Sequence, residues 1–155
     1  MISVYFSNTL QTIFINLLIL LFSGFTPLIL ALRYGDRVVA LVMSRLSFRV
    51  YTFVCALLNA LTGSYIWLGL KLMSKFLGTL LNNYLVAGYI ILMLMGFLLG
   101  IYIHNADYYI KRFEEVYGEK AKTRKAFLKR ISVTTLPFLV AFFVSDYITS
   151  IHLGI

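Results

Sequence analysis

Four apolar runs, each about as long as a helix that crosses a bilayer, occupy most of this sequence. They cover residues 12–32, 50–70, 76–103 and 131–151. An ordinary soluble domain carries about 25% charged residues, whereas only 13% are charged here, so lipid has to solvate much of the surface. We therefore predict an all-α integral membrane protein whose four transmembrane helices form a single domain over residues 1–155.

The first connecting segment, residues 33–49, combines four arginines with an apolar helical face. Val38, Val42 and Leu46 recur at helical spacing, which is typical of a helix that lies in the membrane surface. Asp36 precedes this pattern and is a suitable N-cap. We therefore predict a short amphipathic surface helix between the first two spans. Its arginines, which we expect to contact anionic lipid headgroups, are Arg33, Arg37, Arg45 and Arg49.

The longest polar segment, residues 104–130, has a helical pattern of its own. Tyr109, Phe113 and Tyr117 follow one another at four-residue steps, and Gly118 readily ends a helix. A weaker apolar pattern leads from there into the fourth span, so we predict a helical hairpin. Its apolar faces can be buried against each other, against a second copy of the chain or against a partner protein. The residues assigned to partner contacts are Phe113, Val116 and Tyr117.

The basic residues are distributed unevenly over the connecting segments. Residues 33–49 and 104–130 together hold 12 of the 14 Lys and Arg residues. Such an excess in short loops marks the cytoplasmic side of a membrane, or the matrix side in an organelle. We therefore predict a multi-pass protein of a bacterial or organellar inner membrane, with both termini outside and these two segments inside. Because the cations follow the membrane boundary, we expect lipid contacts and no nucleic-acid binding.

Asp146 is the one acidic residue within a predicted span. Acids inside a bilayer are costly and commonly belong to proton or ion pathways. The alternative is a structural role, in which the carboxyl group is neutralised in place, solvated near the outer boundary or hydrogen-bonded between helices. In the pathway hypothesis, the polar residues that accompany Asp146 are Thr135, Ser150 and Asn59.

Small residues at four-residue spacing mark two helix faces that allow close packing. The third span carries Gly96 and Gly100, and the second carries Ala56, Ala60 and Ser64. These faces predict helix contacts, but the pattern does not distinguish contacts within the chain from contacts between chains.

The sequence contains no pattern that indicates an enzyme. A glycine-rich phosphate loop, a CxxC motif and a set of Ser, His and acid on one side of the membrane are all missing. His104 and Asp107 lie at helical spacing, but zinc needs three or four ligands, and the other histidine, His152, is predicted to lie across the membrane. We expect a hydrogen bond between His104 and Asp107 at the membrane boundary, and no metal, cofactor or catalytic residue.

Two functional hypotheses follow from these patterns. The first is a non-enzymatic small subunit or scaffold of a membrane protein assembly, whose partners are other membrane subunits or copies of itself. The alternative is a small homo-oligomeric channel or a proton- or ion-coupled transporter with Asp146 in the pathway. Small-residue faces and an amphipathic hairpin favour the first hypothesis, and an intramembrane acid favours the second.

Overall fold

Helices make up nearly all of the computed structural model, which describes residues 2–77 and 85–152. The α-helices are α1 (Ile2–Met43), α2 (Phe48–Leu77), α3 (Leu85–Tyr117) and α4 (Arg124–His152), and a 3₁₀ turn, Gly118–Lys122, joins the last two. No β-strand occurs in the described ranges. All four α-helices are long and apolar enough to span a membrane, which confirms the predicted all-α class. Residues 78–84 of the predicted third span lie outside the described residues.

The predicted surface helix is not separate from the first span. α1 continues through Pro27 and Asp36 to Met43, so Asp36 lies inside a helix and caps nothing. The helix continues because Val39 and Met43, each 5% exposed, pack into a cluster of buried side chains with α2 and α3. A surface helix that begins after Asp36 is therefore wrong, and the chain turns only at residues 44–47.

α3 and α4 form the helical hairpin that the sequence predicts. α3 ends at Tyr117, and Gly118 takes a left-handed conformation with a φ of 52°, which costs glycine little. Beyond the 3₁₀ turn, Thr123 caps α4, because its Oγ1 accepts a hydrogen bond of 3.3 Å from the backbone N–H of Ala126. The two arms therefore reverse direction within a few residues.

Glycines set the closest approaches between helices. A Cβ on Gly96 would collide with the backbone oxygen of Gly24, and a Cβ on Gly100 would collide with the Cβ of Ala31. The same lack of a side chain at Gly63 lets α2 approach the backbone of α4. The face formed by Gly96 and Gly100 therefore packs α3 on α1 within the chain.

The main core lies where the hairpin meets the start of α2. Tyr109 and Phe113 of α3 are 0% and 1% exposed. Phe48 of α2 stacks on Tyr109 with ring centroids 5.9 Å apart, and Tyr117 stacks on Phe113 at 4.3 Å. Ala126 of the second arm belongs to the same cluster. The apolar face of the hairpin is therefore buried within the chain, by α2 and by the opposite arm.

Candidate functional site

Four buried polar side chains meet where α2, α3 and α4 come together, and we call them the polar junction: Tyr51, Cys55, Asn59 and Asn105. Asn59 donates from Nδ2 to the backbone oxygen of Val133 on α4 at 3.0 Å. Its Oδ1 accepts a hydrogen bond of 2.9 Å from Nδ2 of Asn105 on α3. One amide side chain therefore ties three helices together.

Tyr51 and Cys55 extend the polar junction along α2. The Tyr51 hydroxyl donates to the backbone oxygen of Asn105 at 3.2 Å, and the Cys55 thiol lies 3.9 Å from the same oxygen. Oδ1 of Asn105 has no hydrogen-bond partner among the described residues. The cluster contains no carboxyl or imidazole group, so its chemistry is hydrogen bonding that holds three helices in register.

The spacing of residues along each helix explains how the polar junction forms. Tyr51, Cys55 and Asn59 recur at four-residue steps and so lie on one face of α2. Asn105 lies four residues before Tyr109 on α3. The sequence-based candidates do not include Asn105, because the apolar pattern of the hairpin begins only at Tyr109. A polar residue one turn before an aromatic face is the signal that could have identified it.

His104 provides a second tie at the same height, from α3 to α1. Its Nε2 donates to the backbone oxygen of Leu32 at 2.8 Å. Gly35 leaves the necessary room, because a Cβ there would come within 2.9 Å of the imidazole ring. The predicted hydrogen bond between His104 and Asp107 is wrong, since the Asp107 carboxylate pairs with Nζ of Lys111 at 2.7 Å. This hydrogen bond raises the pKa of the exposed Lys111 ammonium group.

These contacts place residues from all four helices at one height, which we call the junction level. It passes through Leu32, Asn59, His104 with its neighbour Asn105, and Val133. On three helices, charged residues begin within one turn on the hairpin side of this level: Arg33, Asp107 and Arg130. On α2 the nearest charged residue is Arg49, ten residues before Asn59. Residues 48–58 therefore run beside the charged segments of the other helices.

An exposed apolar face, which we call the α2 stripe, occupies this part of α2. It consists of Val50, Phe53 and Leu57, whose exposed fractions are 49%, 70% and 48%. Their spacing places them on one side of the helix. An apolar face of this kind, beside charged segments and uncovered by the chain itself, is a candidate interaction surface.

The structure does not bring the four predicted ion-pathway residues together. Thr135 lies 11 residues before Asp146 on α4, about 16 Å along the helix axis. Asn59 belongs to the polar junction, where its amide nitrogen and oxygen both form hydrogen bonds between helices. Ser150 is one turn from Asp146.

Two pairs of aromatic rings lie between the two ends of this predicted pathway. Phe138 packs on Tyr102 of α3, with ring centroids 4.8 Å apart. One turn further along α4, Phe142 packs on Trp67 of α2 at 5.4 Å. The segment of α4 between Thr135 and Asp146 therefore presents apolar surface to its neighbours.

The three predicted partner contacts differ in exposure. Phe113 is 1% exposed and Tyr117 is partly buried, both in the aromatic core described above, whereas Val116 is 52% exposed. A partner contact through the Phe113 side chain is therefore wrong for this fold, because the chain itself buries that ring. Val116 keeps an accessible apolar side chain.

The other predicted site residues lie near or at the surface. The arginines assigned to lipid headgroups are all exposed: Arg33, Arg37, Arg45 and Arg49. The small residues of the α2 packing face are partly buried: Ala56, Ala60 and Ser64. Within the part of the chain that the structure describes, no group of three His, Cys, Asp or Glu residues could hold a metal ion.

Fold and site together define a class of protein: an all-helical chain with four helices long and apolar enough to span a membrane, tied together by buried polar side chains. Comparison of the chain with protein-family models, with curated proteins and with solved structures finds no match. Its function therefore has to be inferred from its own geometry.

Proposed function

We propose that this protein is a non-enzymatic subunit of a heteromeric membrane assembly. Its four helices cross the bilayer with both ends of the chain outside and with residues 33–49 and 104–130 inside, as the distribution of basic residues favours. The observation that carries the proposal is the α2 stripe, an exposed apolar face that runs beside the charged segments of the other helices.

The junction level is the inner boundary of the hydrocarbon core in this proposal. Charged residues begin within one turn of it on three helices, and charge inside the core is costly. In the other direction, α4 continues for 19 residues from Val133 to His152, about 28 Å, which is close to the roughly 30 Å of a typical core. In this proposal α2 enters the core near Asn59, and Lys71 and Lys75 lie about 18 Å and about 24 Å further along, toward the outer boundary of the core.

In this proposal, Phe53 and Val50 of the α2 stripe lie on the hairpin side of the core, beyond the reach of lipid tails. Phe53 is six residues and Val50 nine residues from Asn59, so they lie about 9 Å and about 13 Å beyond the core. The headgroup layer adds only about 5 to 8 Å on each side. Neither lipid tails nor the chain itself cover Phe53, which is 70% exposed. A protein partner is the remaining source of apolar cover.

Charge favours a different protein over a second copy as this partner. Residues 33–49 and 104–130 hold 12 basic but only five acidic residues. A symmetric contact between two copies would bring two basic surfaces together, and like charges across an interface are unfavourable. We assign the α2 stripe to a partner that presents an apolar helix flanked by acidic residues.

Two double variants of the whole chain, purified from native membranes in mild detergent, test this proposal. Val50→Ser/Phe53→Ser removes apolar surface from the α2 stripe. The control Val140→Ser/Phe143→Ser makes a matched change on α4 in the segment that this proposal exposes to lipid, where these side chains are 50% and 64% exposed. We expect the unaltered protein and the control to retain other polypeptides in a fixed ratio, and the stripe variant to lose them.

Particle composition decides the outcome. A purified particle that contains only this chain, whether as a monomer or as a closed ring of copies, would contradict the heteromeric assembly. Retention of the same polypeptides by the stripe variant would show that the partner binds elsewhere. Membrane insertion of each variant is checked first, so that a failure to insert is not taken for a loss of the partner.

A further inference from the structure

A cavity of about 300 Å³ opens at the tip of the hairpin, between the end of α3 and the start of α4. The residues that line it include Tyr117, the buried Phe113 and three lysines: Lys120, Lys125 and Lys129. Nζ of Lys129 lies 2.7 Å from the Tyr117 hydroxyl and 4.9 Å from the centre of that ring. The cavity therefore combines aromatic residues with three lysines, and the Lys129 ammonium group lies over the Tyr117 ring.

The carboxylates of the hairpin are engaged elsewhere. Glu119 pairs with Lys122 at 3.2 Å, and Glu114 pairs with Arg130 at 2.8 Å. Neither of these two cations lines the cavity, and no carboxylate does so among the described residues. Lysines at one cavity repel each other when their ammonium groups turn toward it, and an anion between them removes this repulsion. A phosphate group carries up to two negative charges and several acceptor oxygens, so it suits ammonium donors that approach from different directions.

We propose that this hairpin cavity binds a phosphate-bearing anion through Lys120, Lys125 and Lys129, with the rest of the ligand against the Tyr117 ring. The site is separate from the α2 stripe. Lys129 and Lys125 lie four and eight residues from Val133, about 6 Å and about 12 Å beyond the junction level. The phosphate of an anionic lipid headgroup reaches the nearer part of this interval, and a soluble phosphate compound reaches all of it.

Inorganic pyrophosphate and phosphatidic acid are the probes that test this site. The whole chain in an uncharged detergent is titrated with pyrophosphate by calorimetry, and the titration is repeated with phosphatidic acid in the micelles. We expect saturable binding that Lys120→Gln/Lys125→Gln weakens by about tenfold or more, since each lost contact is a hydrogen bond to a charged group. This variant leaves Lys129 on Tyr117, so the contact between the hairpin arms is retained.

A matched control separates the cavity from the general positive charge of the hairpin. Lys122→Gln/Arg124→Gln removes the same number of charges from residues that do not line the cavity, and should change the affinity by less than about threefold. Equal weakening by both variants, or no saturable binding of either probe, would overturn the site.

The competition measurement identifies the source of the phosphate. If phosphatidic acid reduces the affinity for pyrophosphate, the natural ligand is a lipid headgroup. If pyrophosphate binds equally well with and without the lipid, the natural ligand is a soluble phosphate compound. Both results support the site, because both require the cavity lysines.

Discussion

At the residue scale, the register between α2 and α4 places Lys71 at the height of Asp146, although the two side chains form no ion pair in the structure. Asn59 contacts Val133, and Gly63 lies against the backbone of Phe138. The rings of Trp67 and Phe142 follow four residues further along both helices, 5.4 Å apart. One further step aligns Lys71 with Asp146, and both side chains are partly buried. The Lys71 ammonium group lies over the Trp67 ring, 4.7 Å from its centre. Because every other acidic residue lies on the hairpin side of the junction level, we expect Lys71 and Asp146 to pair inside a bilayer.

Substitutions at these two positions should therefore be coupled. Asp146→Leu should destabilise the protein by about 1 to 3 kcal/mol, because the Lys71 ammonium group loses its acceptor. Asp146→Asn should cost less, since the amide oxygen still accepts a hydrogen bond. Adding Lys71→Met to Asp146→Leu should recover most of the loss. Thermal unfolding in lipid nanodiscs measures this coupling, and strictly additive effects would show that the two residues do not interact.

The ion-pathway alternative makes a different prediction for Asp146→Asn, because asparagine cannot ionise. In that case the unaltered protein conducts protons or cations in proteoliposomes, and the variant loses this conduction at unchanged stability. Absence of conduction by the unaltered protein would count against a channel or transporter.

At the element scale, α1 and α3 approach each other backbone against backbone. Gly96 lies directly against the backbone oxygen of Gly24, so a side chain at this position forces the two helices apart. A substitution at the opposing glycine is different, because a Cβ on Gly24 would meet Leu92 at 3.7 Å, an ordinary van der Waals contact. Two glycines of one interface therefore have unequal roles.

Alanine at these two glycines should have opposite consequences. Gly96→Ala should lower the free energy of unfolding by about 1 to 3 kcal/mol, because overpacking forces backbone shifts. Gly24→Ala should be neutral or stabilising by up to about 1 kcal/mol, since alanine favours the helix where it fits. The midpoint of thermal unfolding in detergent compares the two variants. If Gly96→Ala is as stable as the unaltered protein, α1 and α3 do not approach as closely as described.

At the scale of the whole molecule, charge separates one end of the bundle from the other. Apart from Lys71, Lys75 and Asp146, the charged residues all lie on the hairpin side of the junction level. The first residues of α1 and the last residues of α4 lie at the opposite end. Retention of the basic segments on the inner side is favoured during insertion, so the hairpin end should face inward.

Single cysteines at Ser7 and Lys122 test this orientation. Cys55 is buried and is first replaced by alanine, so that each variant carries one thiol. An impermeant thiol reagent should label Ser7→Cys on intact cells, and should label Lys122→Cys only after the membrane is opened. Opened cells serve as the control in which both thiols react. Labelling of the two positions from the same side would refute the four-span topology.

Composition and local periodicity by themselves determine the helical class, the number of long helices and the asymmetry of charge. These properties depend on residues that are neighbours in sequence, so they can be read without a partner segment. The four-residue pattern from Tyr109 to Tyr117 correctly predicts the end of α3, and Gly118 correctly predicts its stop. The local sequence is less decisive near Asp36, where a polar stretch resembles a helix boundary although α1 continues.

Only the tertiary structure decides what each helical face meets. Asn59 and Asn105 are 46 residues apart, and their hydrogen bond depends on the register of two helices, which no local pattern encodes. The pattern around Phe113 identifies an apolar face but not the segment that packs on it. In the structure, α2 buries that ring within the chain. The position of the α2 stripe relative to the junction level also depends on tertiary structure, because the charged residues next to that level belong to the other three helices. Helical periodicity is a local property, whereas burial depends on contacts between distant segments.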